Sequence, residues 1–383
     1  MKERMSSLLL GISLILVSCG QLVRISVPGY PIYFYLFEPL IAVLTITLLY
    51  GRRQNIRASV LFKPMLFFLG FMLVSLTFSF FSYHIQENGI ALLYFIRLSM
   101  YVVFLYIFLQ KEKQATKHST RILIGITIWI IFSSFVQYFL YPNLGNLAYQ
   151  GWDPHLYRVV GLFFDPPITV AVFVLLAIHF VFKMFEEKNR KYFFLIIPLL
   201  VLSFLTYSRG GFVGVIGIAT VFIVRNRNVK VFFMGAIILI LGVFLIPKGE
   251  SEGINLLRTT SISSRVYDYE KALIIFQKNP VTGIGYNHIR PEKDPYETQM
   301  YTGSFNPSHG SASFHSSFLI ILVTGGIIGF ALWIYFLIVV ARTSSFMMYS
   351  IVFLSILSLF DNVLLHPMIL VLLGYIGSLH VRR

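Results

Sequence analysis

Residues 192–224 read YFFLIIPLLVLSFLTYSRGGFVGVIGIATVFIV, two apolar runs, Tyr192 to Tyr207 and Gly210 to Val224, parted by Ser208-Arg209. At 1.5 Å per residue the runs reach roughly 24 and 22 Å, against a hydrocarbon thickness of about 30 Å. Neither comfortably spans a membrane alone. Both far ends are basic, with Arg190-Lys191 before and Arg225 and Arg227 after, so the pair is predicted to form a hairpin entered from the cytoplasm, its tip just below the outer surface. An arginine at such depth costs roughly 2.5–3.5 kcal/mol on insertion scales and is a functional residue by default. Arg209 also opens a helix, where free backbone N–H groups favour an anion, and Gly210-Gly211 admit a close approach.

Working outward, the rest of the chain has the same character. Of 383 residues, 57% are hydrophobic and 12% charged, with a mean hydropathy of +0.77. A soluble domain has about 25% charged residues. The apolar segments are Leu8 to Val23, Ile32 to Tyr50, Pro64 to Phe81, Gly89 to Leu109, Ile122 to Tyr141, Pro166 to Phe182, the two above, Val231 to Ile246, Ser316 to Ala341, Phe346 to Phe360 and Val363 to His380. The fold class is therefore an all-α polytopic membrane protein with about twelve transmembrane helices and one large extracytoplasmic loop. It divides into helices one to nine (1–246), the loop (247–315) and helices ten to twelve (316–383). A β-barrel would need alternating ten-residue segments, which are absent.

The net charge of +15 follows that topology. With both termini on one side, that side collects Lys2 and Arg4, the cations from Arg52 to Lys63, Lys111 to Arg121, Lys183 to Lys191 and Arg225 to Lys230, then Arg342 and Arg382-Arg383, with only Glu3, Glu112, Glu186 and Glu187 as acids. The remainder is nearly neutral. The charge is a positive-inside signal, which places both termini in the cytoplasm and leaves no case for nucleic acid. The lone Cys19, in Leu16-Val17-Ser18-Cys19-Gly20, resembles a lipoprotein cleavage site; a first transmembrane helix with a chance cysteine is the simpler reading.

The segment from Pro247 to His315 faces outward and is balanced in charge, and loops this long in compact proteins are usually functional. Ser263 can cap a helix to about Gln277, with Val266, Tyr269, Leu273 and Phe276 on one face. Pro280 stops it, and Gly283-Ile284-Gly285 permits a tight turn. Arg265, near the start of this helix, combines a cation with a helix N-terminus. Arg158 precedes Gly161 and Asp165-Pro166-Pro167, in which Asp165 is expected to cap. Arg97, mid-span, needs Glu38, Asp361 or a lipid phosphate; a structural pair is expected. Among the outer histidines, His84, His155, His288, His309, His315 and His366, only His315 is expected on the first turn of a long helix, rigid yet open, where it can accept a proton. Glu250-Ser251-Glu252 and Asp268-Tyr269-Glu270 are read as solvated charges. No HExxH, GxSxG, Walker sequence or cysteine pair occurs.

Thr206-Tyr207-Ser208-Arg209-Gly210-Gly211, Ser264-Arg265, Asn279-Pro280-Val281-Thr282-Gly283-Ile284-Gly285-Tyr286, Phe314-His315-Ser316-Ser317-Phe318-Leu319 and Gly325-Gly326-Ile327-Ile328-Gly329, in this order over residues 158 to 341, resemble the O-antigen ligase and polymerase superfamily of bacterial membrane glycan transferases. The family usually has Asn where Ser316 stands. The resemblance implies a GT-C-like fold and a metal- and cofactor-independent transfer, on the outer face of the cytoplasmic membrane, from a polyprenyl (undecaprenyl) diphosphate donor to a sugar hydroxyl. It implies that Arg209 and Arg265 bind the diphosphate and that His315 is the catalytic base; Arg158, from its place before Gly161 and the next helix start, is a supporting candidate for the diphosphate. Its implied partners are the lipid-linked donor, the glycan acceptor, membrane lipids and other polysaccharide-assembly membrane proteins. Polymerisation of repeat units is the preferred reaction, ligation to a lipid core the alternative. A flippase of lipid-linked glycans is the rival class, and it would want ionisable residues along many spans, which are nearly absent apart from Arg97.

Overall fold

The computed structural model describes residues 2–30, 32–51, 59–110, 117–150, 155–226, 260–297 and 313–381. Its α-helices are α1 (Lys2–Ser18), α2 (Phe37–Gly51), α3 (Phe62–Ser79), α4 (Ile85–Leu109), α5 (Lys117–Leu140), α6 (Pro166–Glu186), α7 (Phe193–Leu205), α8 (Arg209–Asn226), α9 (Thr260–Lys278), α10 (Ile289–Glu297), α11 (Ser317–Ala341), α12 (Ser345–Ser358) and α13 (Pro367–Ser378). Among the described residues, the helical stretches Phe62–Ser82, Ile85–Leu109, Thr120–Leu140, Pro166–Glu186 and Ser317–Ala341 are long and apolar enough to cross a membrane. Met5–Ser18, Phe37–Tyr50, Ser345–Ser358 and Pro367–Ser378 are apolar but shorter. The expected ninth segment, Val231 to Ile246, lies outside the described residues, as do Glu250-Ser251-Glu252 and His309.

The centre of the bundle is α6, whose residues from Ile168 to Ala177 are all buried. A helix apolar all round suits this enclosed position. Pro166 and Pro167 open it, but Asp165 at the N-cap makes no side-chain cap bond. Thr169 ties the preceding turn to the helix, its hydroxyl donating to the carbonyls of Val160 and Asp165 at 2.7 Å.

The expected hairpin of α7 and α8 is present as a turn, but its arms pack mainly on different partners, α7 on α6 and α8 on α12. Gly210, Gly214 and Gly217 line one side of α8. A Cβ on them would come within 2.9 Å of Leu357, 2.7 Å of Phe353 and 2.1 Å of Ile356. Small residues at this spacing let backbones approach closely where apolar burial gives little help in lipid. The glycines that read as tip flexibility thus also serve helix packing.

The all-α expectation misses a two-stranded antiparallel sheet, β1 (Arg24–Ser26) and β2 (Tyr33–Tyr35), with Ile25 opposite Phe34. Pro28-Gly29 makes its turn, Gly29 taking φ 77°. Three aromatic residues in β2, which the apolar count merges with α2, have high strand propensity.

The helix α11 is broken at Gly326 (φ 62°, ψ −169°). Into the break fits the turn after α9: the N–H groups of Ile284 and Gly285 donate to Val323 and Thr324 at 3.0 and 3.1 Å, and that of Ile327 donates to Pro280 at 2.9 Å. Ser75 Oγ on α3 donates to the carbonyls of Thr282 and Thr324 at 2.6 and 2.9 Å. Gly283 takes φ +74°, and a Cβ there would meet the Thr324 carbonyl carbon at 2.4 Å.

Candidate active site

The tip begins where α7 ends at Leu205. Tyr207 adopts φ 50°, an uncommon conformation for a bulky residue, which persists only where surroundings hold it. The holding group is Arg158. Its buried guanidinium donates through Nε to the Thr206 carbonyl at 3.0 Å and through an Nη to that of Tyr207 at 3.4 Å, while the Val159 N–H donates to Leu205 at 2.9 Å. Arg209 is the first residue of α8, as expected, and Ser208 Oγ accepts from the Gly211 N–H at 3.3 Å. The structure therefore sets Arg158 beneath the tip, against its carbonyls, and Arg209 on it.

The second arginine comes from α9. This helix starts at Thr260, not at Ser263, so Arg265 stands in its second turn and the dipole of its N-terminus is less relevant than the sequence suggests. Arg265 Nε donates to the Phe360 carbonyl at 2.9 Å and an Nη to Asp361 Oδ2 at 3.0 Å, while Tyr269 donates to the Leu359 carbonyl at 2.6 Å. The turn between α12 and α13 thus fixes α9. Phe360 links both arginines: its ring lies 6.0 Å from the Arg265 guanidinium carbon and against Gly210, where a Cβ would meet it at 3.3 Å. Arg209 and Arg265 lie close enough to oppose one another's charge. Two like charges held together by packing are a ready anion site. Burial raises the Asp361 carboxyl, and although Arg265, His315 and Arg158 act to lower it, it stays up at about 6. Asp361 is therefore electrostatically in touch with all three; its part at this site was not anticipated, because the sequence offered it only as a partner for Arg97. That arginine instead pairs with Glu38, at 2.9 Å through Nε.

The third group centres on Asp268. The sequence reads it as a solvated charge and puts Val266, Tyr269, Leu273 and Phe276 together on the apolar, packing face of the helix. The structure reverses this. Val266, Tyr269 and Leu273 are exposed, whereas Asp268, Ala272 and Ile275 form the buried side. Asp268 Oδ1 accepts from Lys293 Nζ of α10 at 2.7 Å. Its Oδ2 accepts from the His315 backbone N–H at 2.9 Å and bonds the ring Nδ1 at 2.5 Å. The carboxylate and ammonium are 4% and 1% exposed, the imidazole 52%. Lys293 also donates to the Ser313 carbonyl at 3.1 Å, which pins the chain two residues before His315. The histidine is not on the first turn of α11, as expected, but just before its cap: Ser316 is the N-cap and its hydroxyl donates to the Ser358 carbonyl at 2.9 Å.

This geometry selects a tautomer. An ionised carboxylate only accepts, so Nδ1 carries the proton and Nε2 keeps its lone pair for a substrate. The Asp268 bond holds the imidazole above the usual histidine range, against burial and Lys293. Burial raises the Asp268 carboxyl, but His315 and Lys293 together bring it below the ordinary value. The remaining outer histidines differ: His288 is buried and stacked on Tyr83 at 4.1 Å, and His155 is buried.

No curated protein matches the chain at a significant level. A family model described as O-antigen ligase matches residues 193–334, a stretch that includes Arg209, Arg265, Asp268, Lys293 and His315. With its apolar helices and this match, the chain is a multi-pass membrane protein that over residues 193–334 is similar to the O-antigen ligase family.

Proposed function

We propose that the protein transfers a glycan from a polyprenyl (undecaprenyl) diphosphate donor to a sugar hydroxyl at the outer face of the cytoplasmic membrane, polymerising repeat units of a surface polysaccharide. The observation that carries this reading is the meeting of a packed arginine pair with a carboxylate-oriented histidine around Phe360 and Asp361. His315 Nε2 takes the proton of the acceptor hydroxyl as its oxygen bonds the anomeric carbon. The bond from that carbon to the donor's phosphate oxygen breaks, and the diphosphate leaves with its negative charge on Arg209 and Arg265. Stabilising that charge is the larger contribution. Arg158 is a positioning residue, holding the turn that presents Arg209, and Asp361 does the same for Arg265. No metal is needed, because two guanidiniums take the place of a Lewis acid at the leaving group.

In this reading the chain forms about twelve spans, with both termini inside and the site outside. Deleting the gene and displaying the surface polysaccharide on a gel tests the reaction. Loss of long chains with single repeats retained supports polymerisation. Intact polymer left on the carrier lipid means ligation, and repeats trapped inside mean a flippase.

A further inference from the structure

Beside the arginine and histidine groups lies a cavity of about 1210 Å³, walled by the β1–β2 hairpin, the outer half of α4, the start of α10 and the α12–α13 turn. Its walls carry Tyr30, Tyr33, Tyr94 and Tyr286. Tyr33 and Tyr94 meet edge to face at 6.4 Å, and Tyr33 is held by the guanidiniums of Arg24 and Arg97, 4.1 and 5.0 Å from its ring centre. Gln86, Asn287 and Asn362 add amides to the same lining. The α4 wall from Gln86 to Arg97 descends about 16 Å at helical rise.

The chemistry of the walls decides among occupants. An acyl or prenyl chain would want an apolar lining, and this one is studded with amides and charges. A diphosphate would want excess positive charge, but the arginines of the lining, Arg24, Arg97 and Arg290, are balanced by Glu87, Asp294 and, bonded to Arg97, Glu38. A sugar chain, with apolar ring faces and a rim of hydroxyls that both donate and accept, suits a lining that combines aromatic rings with amides. The buried Nδ1 of His366, another wall residue, has no hydrogen-bond partner, and buried polar atoms rarely stay so without a ligand or water.

Position supplies the role. The cavity reaches Ser313, two residues before His315 and bonded to Lys293; Asn362, next to Asp361; and Asp294, next to Lys293. We propose that this cavity is the subsite for the acceptor glycan, which enters along the β1–β2 hairpin and presents its terminal hydroxyl to His315 while the donor diphosphate sits on Arg209 and Arg265. The assignment of acceptor rests on the transfer reading above; the assignment of a glycan rests on the cavity alone.

The test uses the full chain in phosphatidylethanolamine–phosphatidylglycerol nanodiscs. The probe is an oligosaccharide of one and of two repeat units, released by mild acid from the producing cell's own polysaccharide, and binding is read by saturation-transfer NMR. Tyr30→Ala and Gln86→Ala sit at exposed positions, so neither disturbs the core; thermal unfolding of each variant verifies this. Expected is saturation of sugar protons by the wild type, binding about tenfold weaker in both cavity variants, and recovery in Tyr30→Phe. Absence of binding to the folded wild type, binding as tight as wild type in both cavity variants, or displacement of the sugar by inorganic pyrophosphate would overturn the proposal. A wild type that binds sugar in the cavity but moves no glycan from a lipid-linked donor removes the transfer reading and leaves the glycan site standing.

Discussion

Replacing Asp268 by asparagine separates the two jobs of that carboxylate. It holds Lys293 in the interior and sets the tautomer of His315. In Asp268→Asn the ammonium, 1% exposed, loses its counter-charge, and stranding one member of a buried pair costs roughly 3–5 kcal/mol. The new amide can donate to Nδ1, moving the imidazole proton to Nε2, the nitrogen that must accept. A base presented in the wrong tautomer costs on the order of 10²–10⁴ in turnover. Lys293→Met alone leaves the carboxylate buried beside the imidazole and should lower stability while retaining much of the transfer. The double variant Asp268→Asn/Lys293→Met removes both charges, so thermal stability should return toward wild type while transfer from a lipid-linked donor stays as low as in Asp268→Asn. Both quantities can be measured on the same purified protein. A double variant that regains stability and turnover together would show that Asp268 serves only folding, and the case for His315 as an oriented base would fall with it.

The acid limb of the pH–rate profile should lie above the ordinary histidine value, because Asp268 raises the His315 pKa and the base must be neutral; in Lys293→Met, which removes a cation that lowers it, the limb should move further up. Arg209→Lys and Arg265→Lys should impair transfer as much as the alanine changes at normal membrane abundance, since an ammonium cannot reproduce the fork that joins Arg265 to Phe360 and Asp361; full activity in either would mean that charge alone suffices there. In a Cys19→Ser background, cysteine at the exposed Lys278 should react with an impermeant thiol reagent in whole cells and cysteine at Lys188 should not; the reverse would invert the topology. Gly283→Ala should reduce folded protein sharply, because its Cβ would collide with the Thr324 backbone at a positive φ; normal yield would refute the tight fit of loop and helix.

Periodicity and charge made the long spans legible, since hydrophobic runs and positive loops are properties of sequence alone. Arg209 was legible for the same reason, a cation where a membrane permits few. Asp268 was not. Beside Tyr269 and Glu270 it has the local look of a solvated turn, and only Lys293 and His315, brought from 25 and 47 positions away, make it an interior carboxylate. The face of α9 was misjudged by the same limit: apolar spacing predicts which residues share a side, but in a membrane protein the apolar side can face outward while the polar one turns to the site. Arg158 shows a related effect, its neighbours in sequence giving no hint that its bonds go to Thr206 and Tyr207.

The break in α11 has a consequence for how such proteins can be rebuilt. A helix interrupted inside a membrane exposes backbone groups that lipid cannot satisfy, and here the turn from Pro280 to Gly285 supplies the missing bonds, with Ser75 closing the gap from a third helix. The segment between the two long apolar stretches is consequently not a detachable module resting on a scaffold. A graft that exchanged it between relatives to alter sugar choice would have to carry Gly283, the Gly325-Gly326 break and the Ser75 contact as one unit, and specificity engineering has more room in the β1–β2 hairpin, whose tip is exposed at Tyr30.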